Sequence, residues 1–155
     1  MMNDVKKMMV LSARVGAGHI RAADAIVEAF AEKYPGVEVR HLECFKYTNT
    51  FFRQSFIFLY GLMAYRIPSF WRLLYEHTER QIPGSRISRF SAWTDGLNSR
   101  RLIREVNAFD PDVVLCTHYL PGEIMASLRR RGKLRANVCV QLTDYDIHTM
   151  WIQDG

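Results

Sequence analysis

The run Met8-Met9-Val10-Leu11-Ser12-Ala13-Arg14-Val15-Gly16-Ala17-Gly18-His19 leaves few folds open to this chain. Its apolar first half reads as a short buried strand, its glycines as a tight turn, and its histidine as the mouth of a helix. The helix is predicted through Ile20 to about Tyr34. Ala22, Ile26 and Phe30 recur four apart with Ala23 and Val27 beside them, which makes one face apolar at helical period. Pro35-Gly36 then stops the helix, and Val37 to Glu43 reads as a second strand. Strand, helix and strand with short joins form a βαβ unit, so an α/β fold with a parallel sheet flanked by helices is expected.

The turn carries chemistry as well as shape. Gly16 and Gly18 allow backbone angles closed to other residues and let another molecule approach the main chain. The first amides of the helix lack intrahelical partners and favour a phosphate or a developing negative charge. His19 stands at this opening, where a helix N-terminus disfavours added positive charge, so a neutral imidazole acting as a general base fits. The alternative is a tight strand-to-helix turn whose histidine caps or packs, and glycine spacing leaves both open. Gly16-Ala17-Gly18-His19 lacks the Lys-Ser/Thr of a phosphate loop and the third glycine of a dinucleotide fingerprint.

The length of 155 residues fits one domain, and 48% hydrophobic with 24% charged residues describes a globular chain. The net charge of +5 points to an anionic partner. Cys44, Cys116 and Cys139 have no paired spacing. Cys116 and Cys139 lie in apolar runs and are expected as buried free thiols of a reducing cytosol. The histidines, His19, His41, His77, His118 and His148, form no metal-ligand pattern, so no metal is expected. Met1 to Lys7 does not read as a signal peptide. The longest apolar run, Phe56 to Tyr65, is far short of the roughly 20 residues that span a bilayer.

From Cys44 to about Arg89 the alternation breaks into an aromatic and basic stretch. Helices are predicted at about Thr50 to Tyr65 and at Ser69 to Arg80, with Pro68 between them. Ordinary helical packing with the arginines on the wet face is one reading. The other is a membrane-facing surface carried by Phe51, Phe52, Arg53, Phe56, Arg66, Trp71 and Arg72, because rings settle at the headgroup boundary and cations meet lipid phosphates. Nucleic acid could use the same chemistry, but no recognised binding motif accompanies it, and no nucleic-acid partner is expected.

Ser91 to Phe109 reads as a long helix with Trp93, Leu97, Ile103 and Val106 on one face and Arg100, Arg101 and Arg104 in solvent. A strand follows at Val113 to Cys116, then a loop at Thr117 to Leu120, a helix opened by Pro121 and ending near Arg131-Gly132, and a strand at Asn137 to Leu142. Open parallel sheets bind ligands beyond the carboxyl ends of their strands. Gly16 to His19, Thr117 to Tyr119 and Thr143 to His148 are expected to converge there. The expected substrate-facing set is Gly16, Ala17, Gly18, Thr117, His118, Thr143 and His148, with Asp144 and Asp146 as carboxylates. The chain ends soon after a strand, at Trp151 to Gly155, which reads as a fold cut before its closing helix.

Together these pieces resemble the monogalactosyldiacylglycerol synthase family and its bacterial relatives, the processive diacylglycerol glucosyltransferases. The matching residues are Leu11-Ser12-Ala13, Gly16-Ala17-Gly18-His19 with Ala22-Ala23, Pro111-Asp112-Val113-Val114 with Thr117-His118, and Leu142-Thr143-Asp144 with His148 and Trp151. The resemblance implies the N-terminal, acceptor-binding Rossmann-like half of a GT-B glycosyltransferase over residues 1–155, with a helical membrane-facing insertion at about 44–89. The half that binds the nucleotide sugar would be absent from this chain. It further implies His19 as the base on the acceptor hydroxyl, Asp144 as a second catalytic candidate, and inverting transfer of a hexose from a UDP-sugar to diacylglycerol. No cofactor beyond the donor substrate is implied, and the place of action is the cytoplasmic face of a membrane containing anionic phospholipid. The acceptor half of a lipid II-type N-acetylglucosaminyltransferase, which shares the glycine-histidine loop, and a non-catalytic membrane- or nucleic-acid-binding module are the alternatives. The sugar, the lipid and the oligomeric state stay open.

Overall fold

β1 (Lys7–Ser12) is the strand on which the sheet is built, and every residue after Lys7 is buried. The computed structural model describes residues 5–66 and 99–143. In chain order the other described elements are α1 (Gly18–Lys33), β2 (Glu38–Glu43), a 3₁₀ turn at Cys44–Tyr47, α2 (Thr50–Arg66), α3 (Arg100–Phe109), β3 (Val113–Cys116), α4 (Tyr119–Arg130) and β4 (Asn137–Val140). The strands form one parallel sheet in the order β2-β1-β3-β4. This is the Rossmann-like α/β arrangement.

β1 is buried on both faces, so it reads as an unbroken apolar run rather than an alternating one. Met8 and Val10 pack with Ala23 of α1, against which Ile26, Val27 and Phe30 also lie. Met9 and Leu11 point the other way, into a larger core with Leu102, Val106 and Phe109 of α3 and Ile124, Met125 and Leu128 of α4. Gly122 lets α4 sit close on the sheet, since a Cβ there would come within 2.9 Å of Val140. Asp112 fixes the strand starts: its carboxylate accepts the amides of Lys6 and Lys7 at 2.8 and 2.9 Å. Those amide bonds hold its carboxyl below the usual aspartate range.

Several boundaries differ from the sequence expectation. α4 begins at Tyr119, two residues before Pro121, because His118 caps it and the first-turn position of Pro121 needs no amide. β4 stops at Val140 rather than Leu142. Cys44 and Cys116 are buried, and burial pushes both thiols up. Cys139 is exposed, not buried, because β4 is the outermost strand among the described residues and the position turns outward. The expected helix at Ser69 to Arg80 and the expected helical start at Ser91 lie outside the described residues.

Candidate functional site

The glycine turn leaves the carboxyl end of β1 and enters α1. Gly16 has φ of +120°, a left-handed region that any side chain would find strained. Gly18 does not share this geometry: it opens α1, and a Cβ added there would meet no atom within 4 Å. The expectation that both glycines serve a special backbone angle therefore holds for Gly16 alone. Ala17 caps α1 with no side-chain hydrogen bond, and the first turn carries no acidic residue. Gly16, Ala17 and Gly18 are exposed.

His19 follows on the helix and turns inward, with 8% of its surface exposed. Its Nδ1 lies 3.0 Å from the carbonyl of Thr117 and 2.6 Å from the hydroxyl oxygen of Thr143. The Thr143 hydroxyl itself donates to the Thr117 carbonyl at 3.0 Å. A carbonyl only accepts, so Nδ1 carries the proton and donates, and the ring's lone pair sits on Nε2. Thr117 also holds the main chain of this residue, its hydroxyl donating to the His19 carbonyl at 2.8 Å.

His118 packs edge-on against His19, ring centroids 4.6 Å apart at 88°. Its Nδ1 accepts the amide of Leu120 at 3.2 Å, which caps α4. Burial first, and the neighbouring His19 second, push its pKa down to about 3, so the ring is neutral near pH 7. Thr117 and His118 are 0% and 3% exposed. Both pack against His19 and the main chain.

A second histidine network was missed in the sequence. The Ser12 hydroxyl oxygen lies 2.8 Å from Nε2 of His41, and Nδ1 of His41 lies 3.2 Å from a carboxylate oxygen of Asp24. The order of groups matches a serine nucleophile relay, but Ser12 is 0% exposed and no substrate reaches it. The network ties β1, β2 and α1 together under the glycine turn. The signal was available only as a polar residue in an apolar run, Ser12, and a histidine on the next strand.

The expected membrane residues divide. Phe51 is 78% exposed, whereas Phe52 and Phe56 are half-buried against the core, with Phe56 on the ring of Phe45 at 5.3 Å. Arg53 is half-buried. Among the described side chains of α2, the exposed apolar ones are Phe51, Ile57, Phe58, Leu59 and Leu62. The side chain of Arg66, and Trp71, Arg72, Asp144, Asp146 and His148, lie outside the described residues. Among the described residues no group of three or more His, Cys, Asp or Glu could hold a metal ion. No helix among them is long and apolar enough to cross a membrane.

The model of the monogalactosyldiacylglycerol (MGDG) synthase family matches residues 19–155, from His19 onward. The chain belongs to the MGDG synthase family. Its similarity to curated members is low in identity and broad in coverage of this chain. A processive diacylglycerol beta-glucosyltransferase of Bacillus cereus (strain B4264) is 26% identical over 148 residues, which is 94% of this chain and 36% of that protein. Proteins of the same name from Bacillus cytotoxicus and Bacillus thuringiensis (strain Al Hakam) match with the same identity and coverage. The chain thus spans about a third of the length of these relatives. No solved structure matches it significantly. Within the MGDG synthase assignment, the glycine turn, Thr117-His118 and Thr143 are the parts of the family-like motifs that meet around one imidazole.

Proposed function

We propose that this chain is the acceptor-binding half of an inverting GT-B glycosyltransferase, which moves a hexose from a UDP-sugar to the hydroxyl of diacylglycerol at a membrane surface. The observation that carries the reading is the imidazole of His19, held at Nδ1 by Thr117 and Thr143 beside the exposed glycine turn. With Nδ1 protonated, Nε2 is the basic atom. It takes the acceptor hydroxyl proton as that oxygen attacks the anomeric carbon. The bond from that carbon to the diphosphate breaks, and UDP leaves with the electron pair. Attack opposite the leaving group inverts the anomeric centre.

Thr117, His118 and Thr143 act here as positioning residues rather than direct substrate contacts. Gly16, Ala17 and Gly18 offer main chain and the first amides of α1 to negative charge on the acceptor or the leaving diphosphate. Asp144 and His148 belong to the same proposal through the family motif alone. A second Rossmann-like half, outside these residues, holds most of the UDP-sugar, and the segment by itself is inactive. The cytoplasmic face of the membrane is the proposed place of action. The test is a transfer assay on the intact protein that carries this segment, with UDP-hexoses and diacylglycerol in mixed vesicles. A glycolipid with inverted anomeric configuration is expected. A retained configuration, or transfer only to non-lipid acceptors, overturns the reading.

Membrane docking falls to the exposed side of α2. Phe51 and Phe58 are 78% and 70% exposed, with Leu59 at 52%. Moving each phenylalanine from water into lipid is worth about 1.5–3 kcal/mol. Phe51→Ser with Phe58→Ser is therefore expected to lower co-sedimentation with phosphatidylcholine–phosphatidylglycerol vesicles at least ~10-fold. Both side chains lie outside the core, so the fold should persist. Unchanged vesicle binding removes α2 as the docking face.

A further inference from the structure

An open cleft of about 590 Å³ lies between the start of α2 and the start of α3, lined by Tyr47, Thr48, Asn49, Thr50, Arg100, Arg101 and Arg104. The transferase reading uses neither this cleft nor its arginines, and its volume falls in the range of small-molecule sites. Its position follows from the topology. The 3₁₀ turn continues from the carboxyl end of β2, and α3 runs back toward the start of β3, so its own start lies at the carboxyl edge of the sheet. The glycine turn leaves that same edge.

The lining is built from donors. Arg100, Arg101 and Arg104 supply guanidinium groups, Tyr47 and Thr50 supply hydroxyls and Asn49 an amide, while the Thr48 hydroxyl donates to the Phe45 carbonyl at 3.0 Å. All three arginines are exposed, and none has an ion-pair partner among the described residues. Arg100 and Arg101 occupy the first turn of α3, where a positive side chain opposes the helix dipole. The first turns of α2 and α3 contain no acidic residue to offset this positive field. Glu43, the carboxylate nearest in sequence to the cleft's 3₁₀ turn, is engaged by the amides of Arg14 and Phe45 at 3.1 and 3.0 Å. An anion with several acceptor oxygens would satisfy the guanidinium forks and relieve the dipole conflict together.

We propose that this cleft binds a phosphate ester, held by Arg100, Arg101 and Arg104, by the hydroxyls of Tyr47 and Thr50 and by the side-chain amide of Asn49. Two sources share that chemistry: the headgroup of an anionic phospholipid, or a soluble phosphate ester. α2 leads from the cleft into the exposed Phe51, Phe58 and Leu59, so a phosphate bound here lies beside an apolar surface.

The test uses the 155-residue chain with two probes, sn-glycerol 3-phosphate by calorimetry and phosphatidylcholine vesicles with or without phosphatidic acid by co-sedimentation. The net charge of +5 attracts any anion, so a charge-matched control is needed. Arg101→Gln with Arg104→Gln is compared with Arg131→Gln with Lys133→Gln, an exposed pair beyond the far end of α4. The cleft pair is expected to lose at least ~10-fold in affinity, and the control pair less than ~2-fold. Arg101→Lys with Arg104→Lys keeps the charge but loses the fork, and falls between them. Urea midpoints near that of the parent chain confirm folding. Cleft-dependent binding of glycerol phosphate assigns the phosphate itself, and cleft-dependent binding of vesicles alone assigns the lipid headgroup. Equal losses from both pairs, or no cleft-dependent binding of either probe, overturn the site.

Discussion

His19→Asn, placed in the intact protein, is expected under the proposed transfer reaction to lower turnover by ~10²–10⁴-fold, the usual contribution of a positioned general base. Asparagine keeps an N–H donor near the position of Nδ1, so the bond to the Thr117 carbonyl can persist while the basic Nε2 is lost. His19→Ala should lose as much rate, and about 1–2 kcal/mol of stability through the buried bonds to Thr117 and Thr143. The two variants separate chemistry from folding: equal rates with unequal urea midpoints place the effect on the base. The pH profile of kcat/KM should also lose the limb that reports deprotonation of this group. A rate near that of the parent enzyme in either variant removes His19 as the base and leaves the glycine turn as a structural feature.

The second large effect is on stability. His118 titrates at about 3 in the folded chain against an ordinary value of 6.5. Between those values the unfolded chain binds a proton that the folded chain does not, so stability rises with pH across the window. Acidification from about pH 6 to pH 4 is expected to cost about 1.4 kcal/mol per unit from this one ring. Glu123 works in the opposite sense: burial raises its pKa, so stability tied to its neutral form is present at low pH and lost as pH rises through that value. The contribution of His118 is therefore isolated by His118→Asn, which retains a good helix cap for α4 but does not titrate. Urea midpoints measured from pH 4 to 7 should fall steeply for the parent and much less for the variant. Parallel curves would show that His118 is protonated without penalty in the folded chain.

Local signals carried much of the fold. The apolar run before Gly16, the four-residue recurrence from Ala22 to Phe30 and the Pro35-Gly36 stop each act within a few residues, and β1, α1 and β2 follow from them. Boundaries were less legible where a polar side chain competes with a proline. His118 begins α4 ahead of Pro121, and a histidine is not a strong cap signal in a sequence. α2 shows the limit of periodicity. Apolar residues surround much of the helix, so the pattern could not say that Phe52 and Phe56 lean on the core while Phe51 and Phe58 face outward. In the same way Arg100, Arg101 and Arg104 read as an ordinary wet face until the 3₁₀ turn was placed opposite them.

What the sequence determined by itself was the βαβ start, the glycine turn at its strand end and a histidine on the helix that follows, because each depends on neighbours along the chain. Only the tertiary structure decided what holds that histidine in place. Thr117 and Thr143 stand 98 and 124 residues away from it, and reach its ring because β3 lies beside β1 and β4 lies beside β3. The same packing buried Thr117 and His118 and set both against His19. A hydrogen-bond partner at that separation leaves no periodic trace in a single sequence, since the order of strands in the sheet, not their spacing in the chain, sets which side chains meet.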